Sequence, residues 1–341
     1  MLETTWFVIW GIAWAVYFCL DGFDLGLGTL MPFLAKNDDE RRIIYNAMGP
    51  FWDGNEVWLI TAGGVTFAAF PKTYAVMFSG LYTPLMLLLF ALILRGVSFE
   101  FRSKHPGTAW RATWDACLVI GSFVPALLLG VAFANIFRGI PIDAEGINHG
   151  TLLTLLNPYG LLGGVLFVLL FSQHGALWLA IKSEGALHAR AASTARMLWP
   201  VLLVVAAGFL AASWFATNLY HNLLSHPVLF LLPALAVTGL VLARIYVSTA
   251  RWWHAWFASF AAILGATMFG VAGLFPNLLP SSLDPTFSLT AFNSSSSPLT
   301  LKIMLGVALT TLPIVIAYQV WAYAKFRDKV TASSIAGEHA Y

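Results

Sequence analysis

Long apolar stretches, separated by short polar or Pro- and Gly-rich segments, recur along the whole chain. A helix that crosses a hydrocarbon layer about 30 Å thick needs about 20 predominantly apolar residues. Stretches of this kind predict nine transmembrane helices, at residues 6–34, 48–69, 74–100, 110–137, 159–181, 195–217, 227–249, 253–275 and 299–324. The pattern therefore predicts an all-α integral membrane protein in which residues 1–341 form a single membrane domain.

Composition and charge agree with a protein that lies in lipid. Of the 341 residues, 59% are hydrophobic and only 10% are charged, whereas soluble proteins carry roughly a quarter charged residues. The formal net charge is +2, and no block of Lys or Arg forms a basic arm of the kind that binds nucleic acid. A nucleic-acid partner is therefore excluded.

The positions of Lys and Arg indicate how the chain is oriented. The connections after the first, third, fifth and seventh helices, together with the C-terminal tail, carry fourteen of them, against Lys72 and Arg138 on the opposite side. Cytoplasmic loops of membrane proteins hold an excess of these residues. We expect the N-terminus outside and the C-terminus in the cytoplasm.

Two connecting segments have recognisable local signals. Residues 37–46 begin with Asn37, a good helix N-cap, followed by three acidic residues that suit the first turn of a short helix. Residues 276–298 contain four prolines and a serine run, so they cannot continue a helix and are expected to form an outer loop.

Acidic residues inside the predicted spans are the main candidate chemistry. Asp21 and Asp24 lie in the first helix, and Asp53 and Glu56 near the start of the second. A charged group at mid-bilayer costs roughly 2.5–3.5 kcal/mol on insertion scales, and residues three apart share one helix face. Both pairs should therefore face the protein interior.

These acids allow two interpretations. Burial and a neighbouring carboxylate both favour the protonated form, so the four groups could pass protons. Alternatively, they form a neutral or Arg95-paired set that only locks the first four helices together. Glycines in the first two spans, namely Gly22, Gly26, Gly28, Gly63 and Gly64, predict close helix packing in either case.

A metal or haem site has little support in the pattern. His174 is the only histidine deep in a predicted span, and a packed, hydrogen-bonded side chain is favoured there over a haem ligand. The sequence has no Cys–His metal spacing, phosphate-binding loop or nucleophile motif. No catalytic, cofactor-binding or metal-ligating residue is therefore predicted.

Several ordered motifs resemble subunit II of the cytochrome bd-type quinol oxidases, and they extend over essentially the whole chain. The motifs are DGFDLG at 21–26, FWDGNEVWLI at 51–60, RGVSFEFR at 95–102, GSFVP at 121–125, GVAF at 130–133, NPYGLL at 157–162, FP at 275–276 and PSS at 280–282. Between residues 182 and 265 the similarity is one of hydropathy.

The resemblance implies a heterodimer in the bacterial inner membrane. Its homologous, haem-bearing subunit I would hold two b-type haems and haem d, oxidise quinol and reduce oxygen to water. Subunit II would bind no haem and would fold as two four-helix bundles with one peripheral helix. Small single-helix accessory subunits, membrane lipids and a structural quinone or lipid are also compatible with the family.

The resemblance also assigns roles to residues. A cytoplasmic proton route would pass through Asp24 and Asp53, with Asp21 and Glu56 beside them, and Trp52, Arg95 and Glu100 as supporting residues. The main alternative is a proton-coupled secondary transporter, but such proteins often carry matching halves, and the acids here lie in one half only. A self-sufficient haem or quinone enzyme is disfavoured because too few ligands are available.

Overall fold

The computed structural model describes residues 1–331 and Ser334, and helices dominate it. The helices are α1 (Leu2–Leu34), α2 (Asp38–Met48), α3 (Trp52–Ala69), α4 (Pro71–Gly80), α5 (Tyr82–Phe101), α6 (Thr108–Arg138), α7 (Leu152–Leu155), α8 (Pro158–Lys182), α9 (Gly185–Ala216), α10 (Leu219–Ser225), α11 (Leu231–Ser248), α12 (Trp252–Leu274) and α13 (Pro298–Lys325). Short 3₁₀ helices cover Arg102–Lys104, Pro227–Phe230 and Pro285–Phe287, and two strands are β1 (Asn277–Leu279) and β2 (Leu289–Thr290).

Eight helical segments of the described chain are long and apolar enough to cross a membrane. They contain α1, α5, α6, α8, α9, α11, α12 and α13. The predicted second span corresponds to α3, which has 18 residues and is outside this set because its first turns carry Asp53, Asn55 and Glu56. The all-α membrane fold is confirmed, whereas the count of nine spans and the arrangement in two bundles stay predictions.

Helices α1 and α8 form the centre of the structure. Helix α1 packs against α3, α6, α8 and α12, and α8 packs in addition against α6 and α9. A Cβ atom at Gly26 would lie 1.7 Å from the carbonyl oxygen of Phe171, and one at Gly175 would lie 2.4 Å from the amide nitrogen of Leu27. Glycine is therefore required for the direct backbone contact of these two helices.

The predicted helix at 74–100 is wrong, because the chain forms two helices that meet at Leu81. Pro84 has no amide hydrogen to donate to the carbonyl group of Gly80, four residues earlier. That carbonyl oxygen instead accepts a hydrogen bond from Nδ2 of Asn148, at 2.7 Å. The break is thus completed by a residue of the loop that follows α6.

The two connecting segments follow their local signals. The N-cap is confirmed, since the side chain of Asn37 accepts a hydrogen bond from the amide of Glu40 at 2.9 Å. Residues 276–298 contain no α-helix before Pro298, and β1 and β2 pair there in an antiparallel hairpin. The loop therefore has more order than the prolines indicate.

Helix α13 lies on the outside, with Leu301 its only buried residue. Its C-terminal end is held by Lys182, whose Nζ donates hydrogen bonds to the carbonyl oxygens of Phe326 and Asp328, the latter at 2.6 Å. The amide of Val330 donates to the carbonyl oxygen of Lys182 at 2.7 Å, and the ammonium also lies 5.6 Å from the ring centre of Phe51. A buried cation thus fixes the segment that follows α13.

Candidate functional site

Two buried carboxyl groups and one partly buried carboxyl group lie around one guanidinium group between α1, α3 and α5. We call this group, Asp21, Asp24, Glu56 and Arg95, the acidic cluster. Asp21 and Asp24 come from the middle of α1, Glu56 from the first turns of α3, and Arg95 from α5. The sequence predicted both acids of α1 to face inward, and they are 0% and 1% exposed.

Arg95 joins two of the acids through a single nitrogen. Its Nη2 atom lies 2.6 Å from Oδ1 of Asp21 and 2.6 Å from Oε1 of Glu56. The guanidinium side chain is 1% exposed, that of Asp21 0% and that of Glu56 22%. This ion triad is therefore almost completely removed from water, where each charge needs a partner.

Asp24 has a different environment, because its hydrogen-bond partner is neutral. Its Oδ2 atom accepts a hydrogen bond of 2.7 Å from Nδ2 of Asn55. Its other oxygen, Oδ1, is buried without a hydrogen-bond partner among the described residues, as are Oδ2 of Asp21 and two nitrogens of Arg95. The cluster thus keeps unused donor and acceptor positions in its interior.

The charges of the acidic cluster do not balance. Three carboxyl groups face one guanidinium group, so the cluster is electrically neutral only when two of the carboxyl groups are protonated. An uncompensated charge at this depth is expensive, and such groups bind protons readily. The arrangement can therefore store protons and release them when a neighbouring charge changes.

Of the second predicted pair, Asp53 and Glu56, only Glu56 belongs to the acidic cluster, and Asp53 lies at the surface. Glu56 joins Arg95, but Asp53, in the first turn of α3, is exposed, and no hydrogen bond or ion pair involving it occurs in the described part of the chain. Asp24 contacts Asn55, and not Asp53. Asp53 therefore lies at the N-terminal end of α3, one turn before Glu56.

The three predicted supporting residues, Trp52, Arg95 and Glu100, lie in different environments. Trp52 stacks flat on Phe99, with ring centres 5.0 Å apart and an interplanar angle of 2°. It also covers Gly96, where a Cβ atom would lie 3.3 Å from the indole ring. Arg95 is the cation of the acidic cluster, whereas Glu100 is exposed and lies outside the cluster.

Sequence reasoning missed the amide groups of the site. Asn55 on α3 contacts Asp24 directly, and its Oδ1 accepts hydrogen bonds from two side chains of α13, the hydroxyl of Tyr323 at 2.9 Å and Nε2 of Gln319 at 3.3 Å. A neutral amide has no charge to mark it within an apolar stretch. The available signal was the position of Asn55 between Asp53 and Glu56.

A second group of charges lies where α2, α5 and α6 meet, and we call it the ion network. Arg102 donates to Asp115 at 2.6 Å and to Asp38 at 2.7 Å, and Arg111 donates to Asp38 at 2.9 Å. Burial alone would raise the pKa of Asp38, but the hydrogen bond from Arg102 and the charges of Arg102, Arg111 and Arg41 outweigh it and lower that pKa. Two carboxylates here face three guanidinium groups, since Arg41 lies 3.7 Å from Asp115.

His174 is packed and hydrogen-bonded on both sides of its ring. Its Nδ1 lies 3.1 Å from the hydroxyl of Ser259 and its Nε2 lies 3.1 Å from the carbonyl oxygen of Cys19. The ring also stacks on Trp256, with centres 4.9 Å apart. With both nitrogens engaged, His174 does not fit the role of an axial haem ligand, and the described residues contain no group of three or more metal-ligating side chains.

Comparisons with known proteins agree over nearly the full length. The profile of the family described as cytochrome bd terminal oxidase subunit II matches residues 2–326. The cytochrome bd ubiquinol oxidase subunit 2 of Bacillus subtilis (strain 168) is 38% identical over 332 residues, which cover 97% of each protein. The cytochrome bd-I ubiquinol oxidase subunit 2 of Escherichia coli (strain K12) is 38% identical over 369 residues, covering 98% of this chain and 97% of that protein.

A solved structure has the same fold. A chain of the bd oxidase from Geobacillus thermodenitrificans superposes with a TM-score of 0.77 at 16% sequence identity, and the match covers 95% of this chain and 98% of that chain. At this low identity the similarity concerns the fold.

Proposed function

The chain belongs to the cytochrome bd terminal oxidase subunit II family, and we propose that its acidic cluster supplies protons to the reaction of this oxidase. The protein is accordingly a subunit of a terminal quinol oxidase, a multi-pass protein of the inner membrane that works with a partner subunit I in a complex containing haem. Family membership decides against the alternative of a proton-coupled secondary transporter.

In this proposal the redox chemistry takes place in subunit I, which holds two b-type haems and haem d. Quinol is oxidised there and oxygen is reduced to water, a reaction that consumes protons. His174 of the present chain is not suited to hold haem, as its two nitrogens are engaged by Ser259 and Cys19. This chain would contribute proton transfer and support.

The observation that carries the proposal is the charge imbalance of the acidic cluster. Its three carboxyl groups and one guanidinium group need two protons for neutrality, and such groups at membrane depth are commonly proton relays. Glu56 is 22% exposed and lies one turn after the exposed Asp53. We propose that Asp53 receives protons, that Glu56 and Asp21 transfer them past Arg95, and that Asp24 delivers them toward the haems.

Orientation is the second part of the proposal. The excess of Lys and Arg on one side places the N-terminus outside and the C-terminus in the cytoplasm, so that Asp53 faces the cytoplasm. A cysteine in place of Lys329 should react with an impermeant maleimide in inside-out vesicles and stay protected in right-side-out cells. The reverse pattern would contradict the orientation.

The uncovered face of α3 is the surface that we assign to subunit I. Outside its own helical turn, a Cβ atom at Gly54, Gly63 or Gly64 would find no atom within 4 Å, so Gly63 and Gly64 do not provide the packing within the chain that the sequence predicted. The side chains of Ile60 and Phe67 on the same helix are 73% and 61% exposed. Small and apolar residues together suit the close approach of a partner helix in lipid.

The structural quinone or lipid that is compatible with the family has a suitable place. A cavity of about 290 Å³ lies among α1, α6, α8, α9, α11 and α12, and its lining is almost entirely aliphatic and aromatic, with Phe18, Phe133 and Phe167 on one side. An acyl or isoprenoid chain fits such a lining.

The test of proton supply is Asp53→Asn in the assembled oxidase. Because Asp53 is exposed and unpaired among the described residues, its neutralisation should leave assembly and haem content intact. Oxygen consumption with saturating quinol should fall by about a hundredfold or more, since a positioned proton-transfer group contributes roughly 10²–10⁴-fold in rate. Asp39→Asn, which neutralises an exposed acid of α2, is the matched control.

The two possible failures of this test are informative. Loss of the complex on Asp53→Asn would favour the interpretation that the acids only lock helices together. Unchanged turnover in an intact complex would remove Asp53 from the proposed route.

A further inference from the structure

Helix α13 is exposed along nearly its whole length, yet two of its polar side chains reach back to one residue of α3. The hydroxyl of Tyr323 and Nε2 of Gln319 lie 2.9 Å and 3.3 Å from Oδ1 of Asn55. Gln319 is held in turn by Trp58, whose Nε1 donates to Oε1 of the glutamine at 2.8 Å. We call these four residues the amide relay.

The direction of every hydrogen bond in the amide relay is fixed by chemistry. An indole N–H can only donate, so the oxygen of the Gln319 amide must face Trp58. The NH₂ group of Gln319 then faces Asn55, whose oxygen accepts from it. The orientation of the Gln319 amide therefore follows from Trp58, and that of the Asn55 amide follows from Gln319.

The opposite end of the relay fixes the same orientation independently. Nδ2 of Asn55 lies 3.3 Å from the carbonyl oxygen of Leu20, which can only accept. The NH₂ group must therefore point toward α1, where its second hydrogen is donated to Oδ2 of Asp24 at 2.7 Å. Both donors and the oxygen of the Asn55 amide are then in use.

We propose that the amide relay makes Asp24 a directional proton carrier, with Oδ2 held as an acceptor by Asn55 and the proton confined to Oδ1. A proton on Oδ2 would make this oxygen a poorer acceptor and would weaken the hydrogen bond from the NH₂ group of Asn55. Oδ1 is buried and has no hydrogen-bond partner among the described residues, so it is the oxygen that can bind and release a proton. Gln319 and Tyr323 act through Asn55 and are positioning residues.

This inference rests on the proposed proton route, and it adds α13 to it. The last span touches the rest of the chain at few points, and two of these are the residues that orient Asn55. Its docking therefore reinforces the orientation of Asn55, because it supplies the two donors to the amide oxygen. The relay residues lie on two helices, with Asn55 and Trp58 on α3 and Gln319 and Tyr323 on α13.

The experiment compares variants of the assembled, purified oxidase. Tyr323→Phe removes one donor to Asn55 and keeps the ring, and Gln319→Leu removes the other donor together with the acceptor of Trp58. Tyr318→Phe is the control, because it removes a hydroxyl from an exposed position of the same helix, 64% exposed. Each variant is assayed for oxygen consumption against pH, with kcat and KM for quinol separated.

Infrared spectroscopy provides a readout that a structural role alone would not change. The C=O stretching band of protonated Asp24, identified by its loss in Asp24→Asn, reports the hydrogen bond that Asn55 donates to Oδ2. In Tyr323→Phe and Gln319→Leu this band should shift to higher frequency, because Asn55 is no longer held. Turnover should fall roughly two- to tenfold for each hydrogen bond lost, with KM unchanged and with a displaced pH profile.

The outcomes separate the relay from the proton route on which it rests. Full activity in Asp24→Asn would overturn the route itself. Loss of activity in Asp24→Asn, combined with an unchanged band and unchanged turnover in both α13 variants, would overturn the relay and leave the route in place. A band shift in Tyr323→Phe and none in Tyr318→Phe would support the relay, and Tyr323→Phe keeps this test open if Gln319→Leu does not assemble.

Discussion

Replacing Arg95 by methionine is the most direct test of how the acidic cluster is stabilised. The substitution removes the only cation among the four residues and keeps a side chain that fills much of the same volume. Asp21 and Glu56 each lose a partner at 2.6 Å, and these two side chains are only 0% and 22% exposed. Both carboxyl groups must then be protonated or remain as unpaired charges.

The expected loss of stability follows from the burial of this triad. Removing one partner of a buried ion pair costs roughly 3–5 kcal/mol. With an unfolding entropy of about 2.1 cal/mol/K per residue, this corresponds to a fall in Tm of about 4–7 °C for a chain of 341 residues. The loss should shrink as the pH falls, because protonated carboxyl groups no longer need the cation.

The assay is the thermal denaturation of the purified complex in detergent, followed by tryptophan fluorescence at several pH values. Arg138→Met is the control, because Arg138 is exposed and far along α6 from the cluster. The double variant Arg95→Met, Asp21→Asn removes one carboxyl group together with the cation and should recover about half of the lost stability. An unchanged Tm in Arg95→Met, or a double variant no more stable than the single one, would refute the reasoning.

Three further substitutions have clear expected results. Gly26→Ala should separate α1 from α8 and lower the Tm of the complex by several degrees. Gly208→Ala in α9, where an added Cβ meets no neighbouring atom within 4 Å, should not, and equal values would contradict the close contact. Asp38→Asn should cost stability at neutral pH, because the pKa of Asp38 is lowered in the folded protein and its carboxylate stabilises the fold above the unfolded pKa of about 4. This stabilisation disappears as the pH falls through the folded pKa, so a difference from wild type that persists in acid would be evidence against it. Lys182→Gln should free the segment after α13 and speed its cleavage by trypsin. An unchanged cleavage rate would show that Lys182 does not hold this segment.

The inward position of the α1 acids could be predicted because it depends on spacing within one helix. Asp21 and Asp24 are three residues apart in an apolar stretch long enough to leave no doubt about the helix. The same reasoning only partly succeeded for α3. The helix begins at Trp52, so Asp53 lies in its exposed first turn, and only Glu56 reaches Arg95.

The features that the sequence could not reveal depend on contacts between distant segments. The break at Leu81 is completed by Asn148, a loop residue whose position is set by the packing of other helices. The oxygen of the Asn55 amide is held by Gln319 and Tyr323, more than 260 positions along the chain. Neither of these long-range contacts produces a periodic pattern in the sequence. In addition, a neutral amide carries no charge that would mark it as unusual in a membrane span.

The two charged groups of this protein together favour proton transfer over a purely structural role for the acidic cluster. In the ion network, two carboxylates are matched by three guanidinium groups, so the charges hold α2, α5 and α6 together without any need for protons. In the acidic cluster, three carboxyl groups share the single guanidinium of Arg95, although this site is the more deeply buried of the two. A structural lock at that depth would gain from a second cation, since unpaired charge is most expensive there. Among the described residues no second cation is paired with these carboxyl groups, which favours protons as the source of the missing positive charge, and protons bound to carboxyl groups can leave again when the neighbouring charge changes.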